Sequence, residues 1–418
     1  MRLIELKVDG YRGFAAGKIS FDRQLTVLVG ENGAGKSSLL DALFLLLSHY
    51  SARLIGASSS AGRLKDTDIR VGREEARLSL IARDEEVGEV SWAIAKQGVR
   101  QRVLKPSSSN LTGLNDFAKA VAARSSNDDF LRGEVVPIYY DQSRAVLRIP
   151  RRRRTRADTS ALSVFQDSTS TWGINFPLLT YWFQDRETDE LRRQKSRKNY
   201  VDRELDAVRR AITLATELRD PYFSVDRPRG LTFTKRNTAL HVSQLSTGEQ
   251  VFMALAGDLA RRLAAVAPLD SDPLKANAIV LVDELELHLH PRWQRIIVPW
   301  LLKTFPNCQF IVSTHSPQVV SEVSAKHVRI LRDTARGTTI NMARSTLGRD
   351  SNHLLTSVFG VSSRKVAAES HILEADRAIM SGKLEKAKRL IAQLEQEIEG
   401  GPPEVAILQA RLARRNPA

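Results

Sequence analysis

The chain has 418 residues, enough for two or three domains, and its 27% charged and 42% hydrophobic residues are typical of a globular protein. Its one cysteine, Cys308, excludes an intrachain disulfide and a multi-cysteine zinc site. Lysine and arginine outnumber the acids by 63 to 48, and the net charge of +15 favours an anionic partner such as nucleic acid. No apolar run could cross a bilayer and the N-terminus lacks the pattern of a signal peptide, so we expect a cytoplasmic protein without membrane contact.

The first 147 residues are predicted to form one lobe, built around a strand, a glycine-rich turn and a helix. Apolar and charged residues alternate over residues 2–9, which is the pattern of a half-buried strand. A loop is expected at Tyr50–Lys65, which is rich in Ser, Ala and Gly. The other predicted elements are strands at Lys18–Phe21 and Leu25–Val29, a hairpin of Ala76–Ala82 with Gly88–Ala95, a helix near Asn115–Arg124 and a strand at Val135–Tyr140.

The turn in this lobe, GENGAGKSS, matches the phosphate-binding pattern G-x-x-x-x-G-K-[ST] at Gly30, Gly35, Lys36 and Ser37. An apolar strand precedes it and an apolar helix follows it; an ordinary glycine-rich turn is the competing interpretation. Glycines let backbone N–H groups point inward, and a helix N-terminus attracts an anion. We therefore expect nucleotide phosphates here, with Lys36 reaching the β and γ phosphates and the Ser37 hydroxyl binding Mg²⁺.

Residues 148–228 are predicted to form a basic linker and a helical insertion. The linker contains the run RIPRRRRTR, Arg148–Arg156, which has no acid and either is solvated or meets nucleic-acid phosphates. A turn-like stretch follows at Ala157–Ser170, and a charged helical pattern covers Trp172–Leu218. The aromatic residues 181–183 could stack on bases, but packing at a domain junction is the simpler interpretation.

Residues 229–345 are predicted to form a second lobe with two further motifs. The segment LSTGEQ opens a helix, and VLVDE ends a buried strand, Ala278–Val282, with Asp283 and Glu284. Asp283 can hold the magnesium shell and Glu284 can orient or deprotonate an attacking water, although helix capping would also explain such a pair. The lobe is completed by predicted strands at Gly230–Thr234, Ala239–Val242 and Gln309–Ser313, a helix from Pro291 and the segment THSP.

The last segment, residues 346–418, is predicted to end in a helical hairpin. Apolar residues step by three and four along both arms, and GGPP at Gly400–Pro403 breaks the pattern between them. The apolar seam is expected to pack on itself or on the rest of the chain, and docking of a partner is the alternative.

The motifs GENGAGKSS, LSTGEQ, VLVDE and STHSP, in this order, resemble the nucleotide-binding domains of the ABC ATPase superfamily. The resemblance implies a homodimer with two ATP molecules in its interface. It also implies that Ser246 and Gly248, with Glu249 close by, bind the γ-phosphate held by the opposite subunit, and that His315 contacts the γ-phosphate. The implied fold is α/β: an ABC-type ATPase head with a mixed sheet around the phosphate-loop helix, an antiparallel subdomain, a helical insertion and a C-terminal helical hairpin.

The opening KVDGYRGF and the asparagine of GENGAGKSS resemble DNA-repair and chromosome-maintenance ATPases, in which an arginine at the position of Arg12 approaches the nucleotide. ABC ATPases also contain a glutamine loop, for which Gln142 is the candidate here, and this match would make Gln142 a further metal ligand. Polar residues are common after a strand, so an ordinary loop residue is the alternative. The nucleotide contacts that these resemblances imply are Arg12, Asn32, Gly33, Gly35, Lys36, Ser37 and Ser38.

Longer segments, VPIYYDQSRAVLRIP, YWFQDRETDE, DELELHLHPRWQ and FPNCQFIVSTHSPQVV, resemble the ATPase subunit of Septu-type and retron-associated antiphage systems. In those systems an HNH endonuclease accompanies the ATPase, and some also carry a reverse transcriptase with its DNA product. This sequence contains no HNH pattern of its own, so the resemblance implies an ATPase that regulates a partner nuclease. The alternative is a DNA-binding repair or recombination ATPase without a dedicated nuclease.

Overall fold

A computed structural model describes residues 1–98, 108–124, 130–142, 160–170, 173–335, 337–361, 366–397 and 403–415. The chain divides into two compact units, residues 1–349 and 350–418. The basic run Arg148–Arg156 and the first three residues of GGPP lie outside the described residues.

The described strands and helices follow one another along the chain with these bounds. The strands are β1 (Arg2–Tyr11), β2 (Phe14–Ser20), β3 (Leu25–Gly30), β4 (Glu75–Asp84), β5 (Gly88–Gln97), β6 (Val136–Tyr140), β7 (Arg219–Ser224), β8 (Gly230–Lys235), β9 (Thr238–His241), β10 (Ala278–Val282), β11 (Cys308–Thr314), β12 (Val328–Arg332) and β13 (Thr339–Met342). The helices are α1 (Lys36–Leu54), α2 (Thr112–Ala123), α3 (Ala161–Ser170), α4 (Phe176–Gln194), α5 (Arg203–Ala215), α6 (Thr247–Val266), α7 (Pro291–Thr304), α8 (Pro317–Val320), α9 (Ser351–Ser357), α10 (Val366–Met380), α11 (Leu384–Glu397) and α12 (Pro403–Arg415).

The first unit contains a six-stranded sheet with the order β13-β12-β3-β11-β10-β6, in which every neighbouring pair except β12 and β13 is parallel. The four strands β3, β6, β10 and β11 are buried along their whole length, as the continuous apolar runs in the sequence predict. Their registers align Val29 with Thr314, Val282 with Val312 and Val282 with Tyr140. The segments after these four strands therefore emerge at one edge of the sheet, where ligands bind in open α/β sheets.

A second sheet, with the order β2-β1-β4-β5, is antiparallel and includes the predicted β4–β5 hairpin. Gln309 of the parallel sheet reaches its first strand. The Gln309 amide accepts a hydrogen bond from Leu3 N at 2.7 Å and donates to Leu3 O and Asp22 O at 2.9 Å each. A buried polar side chain thus satisfies three backbone groups between the two sheets.

The turn-like structure predicted for Ala157–Ser170 is wrong for its described part, because residues 161–170 form helix α3. Its Ser, Thr and Asp content suggested a loop, but Val164 and Phe165 are fully buried, and the helix packs on α1 and β6. The Ser168 hydroxyl donates to Pro137 O at 2.5 Å and to Val164 O at 2.9 Å. Tertiary packing has overridden a weak local helix propensity.

The predicted helical insertion consists of α4 and α5, which both pack against α6. Trp182 and Phe183 of the aromatic group in α4 are buried, and the guanidinium of Arg186 lies 5.8 Å from the Trp182 ring centre. These contacts favour the packing interpretation of the aromatic residues over base stacking.

A buried ionic cluster fixes α6 to the parallel sheet. Asp258 is fully buried; its Oδ1 accepts from Arg261 Nη2 at 2.9 Å, and its Oδ2 accepts from Arg262 Nε at 2.7 Å and from the Tyr140 hydroxyl at 3.0 Å. Burial alone would raise the pKa of Asp258, but the charges of Arg262 and Arg261 lower it below its usual value. The carboxylate is therefore ionised and fully hydrogen-bonded.

The second unit is built on α10, α11 and α12, which share one apolar core. The sequence predicted a hairpin of two helices, and α10 is an additional helix that packs against both. The helical spacing of Ala375, Ala378 and Ile379 was present in the sequence but was not recognised. The core residues of this unit are Ala375, Ala378, Ile379, Ala387, Ile391, Leu394, Val405 and Leu408.

Within the described segments, no helix combines the length and the apolar character that crossing a membrane requires.

Candidate nucleotide-binding and hydrolysis site

The loop between β3 and α1 has the conformation that its glycines were expected to provide. Gly30 has φ 154° and Gly35 has φ 92°. A Cβ atom on Gly30 would lie 2.3 Å from Leu331 O, and one on Gly35 would lie 2.8 Å from the Phe14 ring. Side chains at these positions would clash, and α1 begins immediately after Gly35 with its first amides unpaired by the helix. The loop is therefore a ready anion site.

Lys36 is the first residue of α1 and only 5% exposed. Its Nζ donates to Gly30 O and to Glu31 O, both at 3.0 Å, so the amine folds back over the loop. Burial lowers the pKa of Lys36 to about 8, although the carboxylates of Asp283, Glu284 and Glu286 act in the opposite direction. Burial thus outweighs the attraction of these carboxylates, and a phosphate bound by the loop would stabilise the charged amine.

We expect ATP affinity to fall as the pH rises above about 8, because the neutral Lys36 amine must take up a proton to pair with phosphate. The dissociation constant for ATP should rise by up to about tenfold per pH unit, which is about 1.4 kcal/mol of binding free energy. The phosphate does not titrate in this range, because its own pKa is near 6. Titration calorimetry between pH 7 and 9.5 in two buffers of different ionisation enthalpy measures both affinity and proton uptake. Lys36→Arg is the control: arginine stays charged over this pH range, so any affinity that this variant retains should not fall with pH. A flat wild-type profile without proton uptake would contradict the prediction.

Asp283 is held between two hydroxyl groups at the carboxyl end of β10. Its Oδ2 accepts from Ser37 Oγ at 2.7 Å, and its Oδ1 accepts from Ser313 Oγ. Ser313 Oγ also accepts from Glu284 N at 2.8 Å. Ser313 was not among the predicted site residues, because its only signal in the sequence is its position next to the THSP segment.

Glu284 follows Asp283 with φ 48°, a left-handed conformation that is costly for a residue with a side chain. Gln142, after β6, donates from Nε2 to Glu284 Oε1 at 3.1 Å and to Asp283 Oδ2 at 3.2 Å. The structure therefore brings Gln142, Ser37 and both predicted carboxylates together. Strain and convergence of this kind are typical of functional sites.

These side chains have the right chemistry for Mg²⁺, which prefers hard oxygen ligands and usually takes one or two carboxylates together with phosphates. The Ser37 hydroxyl and the Asp283 carboxylate meet at 2.7 Å beside the phosphate loop, and both would hold the ion. The Gln142 amide is in reach of the same carboxylate oxygen. The donor set therefore fits the ion that the phosphate loop implies.

His315 lies after β11 at the same edge and is positioned by Glu286, another residue that the sequence analysis missed. Glu286 Oε1 accepts from His315 N at 2.5 Å, and its Oε2 accepts from Thr314 Oγ1 at 2.6 Å. Burial and the nearby Lys36 charge lower the pKa of His315 below its usual value. The imidazole is therefore neutral at pH 7 and can donate one hydrogen bond and accept another.

Arg12 lies in the turn between β1 and β2, with φ 46°. Its Nη1 donates to Asp41 Oδ2 of helix α1 at 2.6 Å, and its Nε donates to Asp68 Oδ1 at 2.9 Å. The first residue of β2, Phe14, follows this turn and packs against Gly35 of the phosphate loop. The structure thus places Arg12 beside the phosphate-loop helix, paired with two carboxylates.

The loop residues Asn32 and Gly33 are exposed, and Ser38 is partly exposed in the first turn of α1. These three positions are therefore accessible to a ligand.

The LSTGEQ motif begins α6, with Ser246 as its N-terminal cap. Ser246 Oγ donates to Glu249 Oε2 at 2.8 Å, and the same oxygen accepts from Ser246 N at 3.0 Å. Gly248 is packed, because a Cβ there would lie 2.7 Å from His288 O and 3.2 Å from the Trp293 ring. Glycine at this position therefore has a packing reason besides any contact with phosphate.

Comparison with known proteins decides the family. Residues 2–339 match the family described as RecF/RecN/SMC N terminal domain. The chain belongs to this family. Among solved structures, the SMC head bound to the C-terminal winged-helix domain of ScpA is similar over 82% of this chain and 98% of its own, with a TM-score of 0.50 at 16% identity. The α/β head fold predicted from the sequence is confirmed.

The RecF/RecN/SMC relatives of this chain include proteins from retron and Septu systems. The retron Ec83 probable ATPase of Escherichia coli is 26% identical, over 99% of this chain and 86% of that protein. The retron Vc95 probable ATPase of Vibrio cholerae is 25% identical over 80% and 74%. The Septu protein PtuA of Bacillus thuringiensis is 23% identical over 76% and 72%. The predicted resemblance to these ATPases is confirmed.

Proposed function

We propose that this chain is an ATP-hydrolysing enzyme that closes as a homodimer around ATP and regulates a partner nuclease in prokaryotic antiphage defence. The observation that carries the proposal is the convergence of Ser37, Gln142, Asp283 and Glu284 beside the phosphate loop. Phosphoryl transfer to water needs a phosphate cradle, metal ligands and a group that positions the water; the loop would supply the first, and these residues would supply the other two.

Each side chain has a role that follows from its position. The loop amides and Lys36 bind the phosphates, and Lys36 offsets the charge that develops on them. Ser37 and Asp283 hold Mg²⁺, which when bound neutralises charge on the phosphoryl oxygens. Glu284 orients the water and accepts its proton, and Gln142 fixes the Glu284 carboxylate. The neutral His315 donates a hydrogen bond toward the γ-phosphate.

The homodimer is proposed from the resemblance of LSTGEQ to the signature motif of ABC ATPases; in this segment Ser246 caps the N-terminus of α6. The described side-chain and amide hydrogen bonds of Ser246 are made with Glu249 inside the motif, and its carbonyl accepts from Gln250. A helix N-terminus can accept a phosphate, and the ABC-type motifs imply that this phosphate belongs to ATP held by a second subunit, as in a two-fold dimer with two sandwiched ATP molecules.

The partner nuclease is proposed from the retron and Septu relatives, and the HNH class follows the resemblance noted in the sequence. The net charge of +15 favours an additional nucleic-acid partner, such as the DNA product of a reverse transcriptase, for which the basic run Arg148–Arg156 is the candidate contact segment in the sequence.

The test is purification of the full chain together with the products of its neighbouring genes, followed by nuclease assays with and without ATP. We expect a nuclease to co-purify and its activity to differ between wild type and the Lys36→Ala variant, which should not bind ATP. Failure to recover a nuclease, together with DNA-stimulated ATP hydrolysis by the chain alone, would favour the repair ATPase instead.

A further inference from the structure

Lys235 occupies a fixed position next to the LSTGEQ motif, although it belongs to none of the motifs seen in the sequence. It ends β8, which pairs with β9 so that Lys235 faces Thr238. The two residues between them, Arg236 and Asn237, have φ 48° and 63°, as in the two-residue turns that match the twist of a hairpin. Its side chain is 26% exposed. The tight turn therefore holds Lys235 at the end of the hairpin.

A chain of contacts joins Lys235 to Ser246. Lys235 Nζ forms an ion pair with Glu249 Oε1, and the other oxygen of Glu249 accepts from Ser246 N at 3.0 Å and from Ser246 Oγ at 2.8 Å. Glu249 is buried, with 7% exposure. The Glu249 carboxylate thus contacts the Lys235 amine with one oxygen and Ser246, the predicted phosphate ligand, with the other.

The charge of Glu249 creates a conflict at this helix N-terminus. Burial alone would raise the pKa of Glu249, but the hydrogen bonds from Lys235 and Ser246 lower it, so the group is anionic at neutral pH. An anion in the first turn stabilises α6, but it would repel an incoming phosphate. It also already accepts the hydrogen bond that the Ser246 hydroxyl can donate. The Lys235 charge offsets this repulsion.

We propose that Lys235 is a positioning residue for ATP-dependent closure: it neutralises Glu249, so that Ser246 and the N-terminus of α6 can accept the γ-phosphate carried by a second copy of the chain. The inference rests on the proposed ATPase function and adds to it a residue outside the known motifs. Lys235 acts through Glu249, and it leaves ATP binding to the phosphate loop of its own subunit unaffected.

The experiment compares full-length wild type, Lys235→Met, Lys235→Arg, Glu249→Gln and the double variant Lys235→Met/Glu249→Gln. The Lys235→Met change should lower kcat about tenfold or more, because it leaves a negative charge facing phosphate. ATP affinity, measured by calorimetry, should stay within about twofold of wild type, because the substitution leaves the phosphate loop of the same subunit unchanged. Lys235→Arg should retain most of the activity.

The double variant separates charge from structure. In the Glu249→Gln background the loss caused by Lys235→Met should shrink to about twofold or less, because no carboxylate is left to neutralise. The Lys235→Met defect should also become smaller between 50 and 500 mM salt, as screening weakens the repulsion. A structural role for Lys235 would give a lower thermal midpoint and a salt-independent loss.

The inference is overturned if Lys235→Met hydrolyses ATP like wild type, or if its loss persists undiminished in the Glu249→Gln background. It is also overturned if Glu249→Gln alone is as impaired as Lys235→Met and the double variant is no better. Absence of ATP hydrolysis and ATP-dependent dimerisation in the wild type, measured by light scattering, would instead refute the proposed function itself.

Discussion

Replacing Glu284 by Gln should lower ATP turnover about 100-fold or more, the contribution typical of a positioned general base. The amide keeps the size of the side chain and can still bond to Gln142, but it cannot accept a proton from water. ATP binding should be retained, because Lys36 contacts the backbone of the loop and makes no hydrogen bond to Glu284. ATP-dependent dimers should therefore accumulate.

Phosphate release and calorimetric ATP binding measure the two effects of Glu284→Gln separately. Glu322→Gln, an exposed carboxylate near the end of α8, is the matched control and should turn over ATP at the wild-type rate. Normal turnover in Glu284→Gln would remove Glu284 from the role of base. Loss of ATP binding would mean that the residue supports the loop instead.

Asp258→Asn should cost about 3–5 kcal/mol of unfolding free energy, the usual price of removing one partner from a buried ion pair. The change leaves Arg261 and Arg262, which are 1% and 2% exposed, without their common carboxylate. Arg262 keeps an ion pair with a second acid, Asp167, at 3.7 Å. The uncompensated charges would then have to be solvated in the interior.

Denaturant unfolding followed by tryptophan fluorescence measures this loss, because all five tryptophans lie within residues 1–349. Asp189→Asn is the control: Asp189 pairs with Arg192 at the same i,i+3 spacing as Asp258 with Arg261, but on the surface. We expect it to cost no more than about 0.5 kcal/mol. Equal effects of the two substitutions would contradict a special contribution from the buried cluster.

The central features were predictable from the sequence because each is local. The phosphate loop and VLVDE combine a buried apolar strand with a short motif directly after it, and parallel strands bring such endings to one edge. The structure places Gln142 with them, since β6 pairs with β10 in register. The role of Gln142 in the reaction stays a prediction.

The residues that the sequence did not reveal act over long separations. Ser313 is 30 positions from Asp283, and Lys235 is 14 positions from Glu249. No periodicity or motif links such pairs, because only the folded sheet and hairpin bring them together. Helix α3 was missed for a related reason: its burial against α1 and β6, rather than its composition, makes it a helix.

The pairing of β6 with β10 also shows which part of the chain can change during evolution without disturbing the candidate site. The chain leaves the parallel sheet at Tyr140 and returns at Ala278, beside the strand that it left. The described elements between these two points, α3 to α6 and the sheet of β7, β8 and β9, are thus inserted between two adjacent strands whose register is fixed by the parallel sheet. Changes in the length or charge of the outer parts of this inserted segment can therefore suit a new partner without moving Asp283 or Gln142.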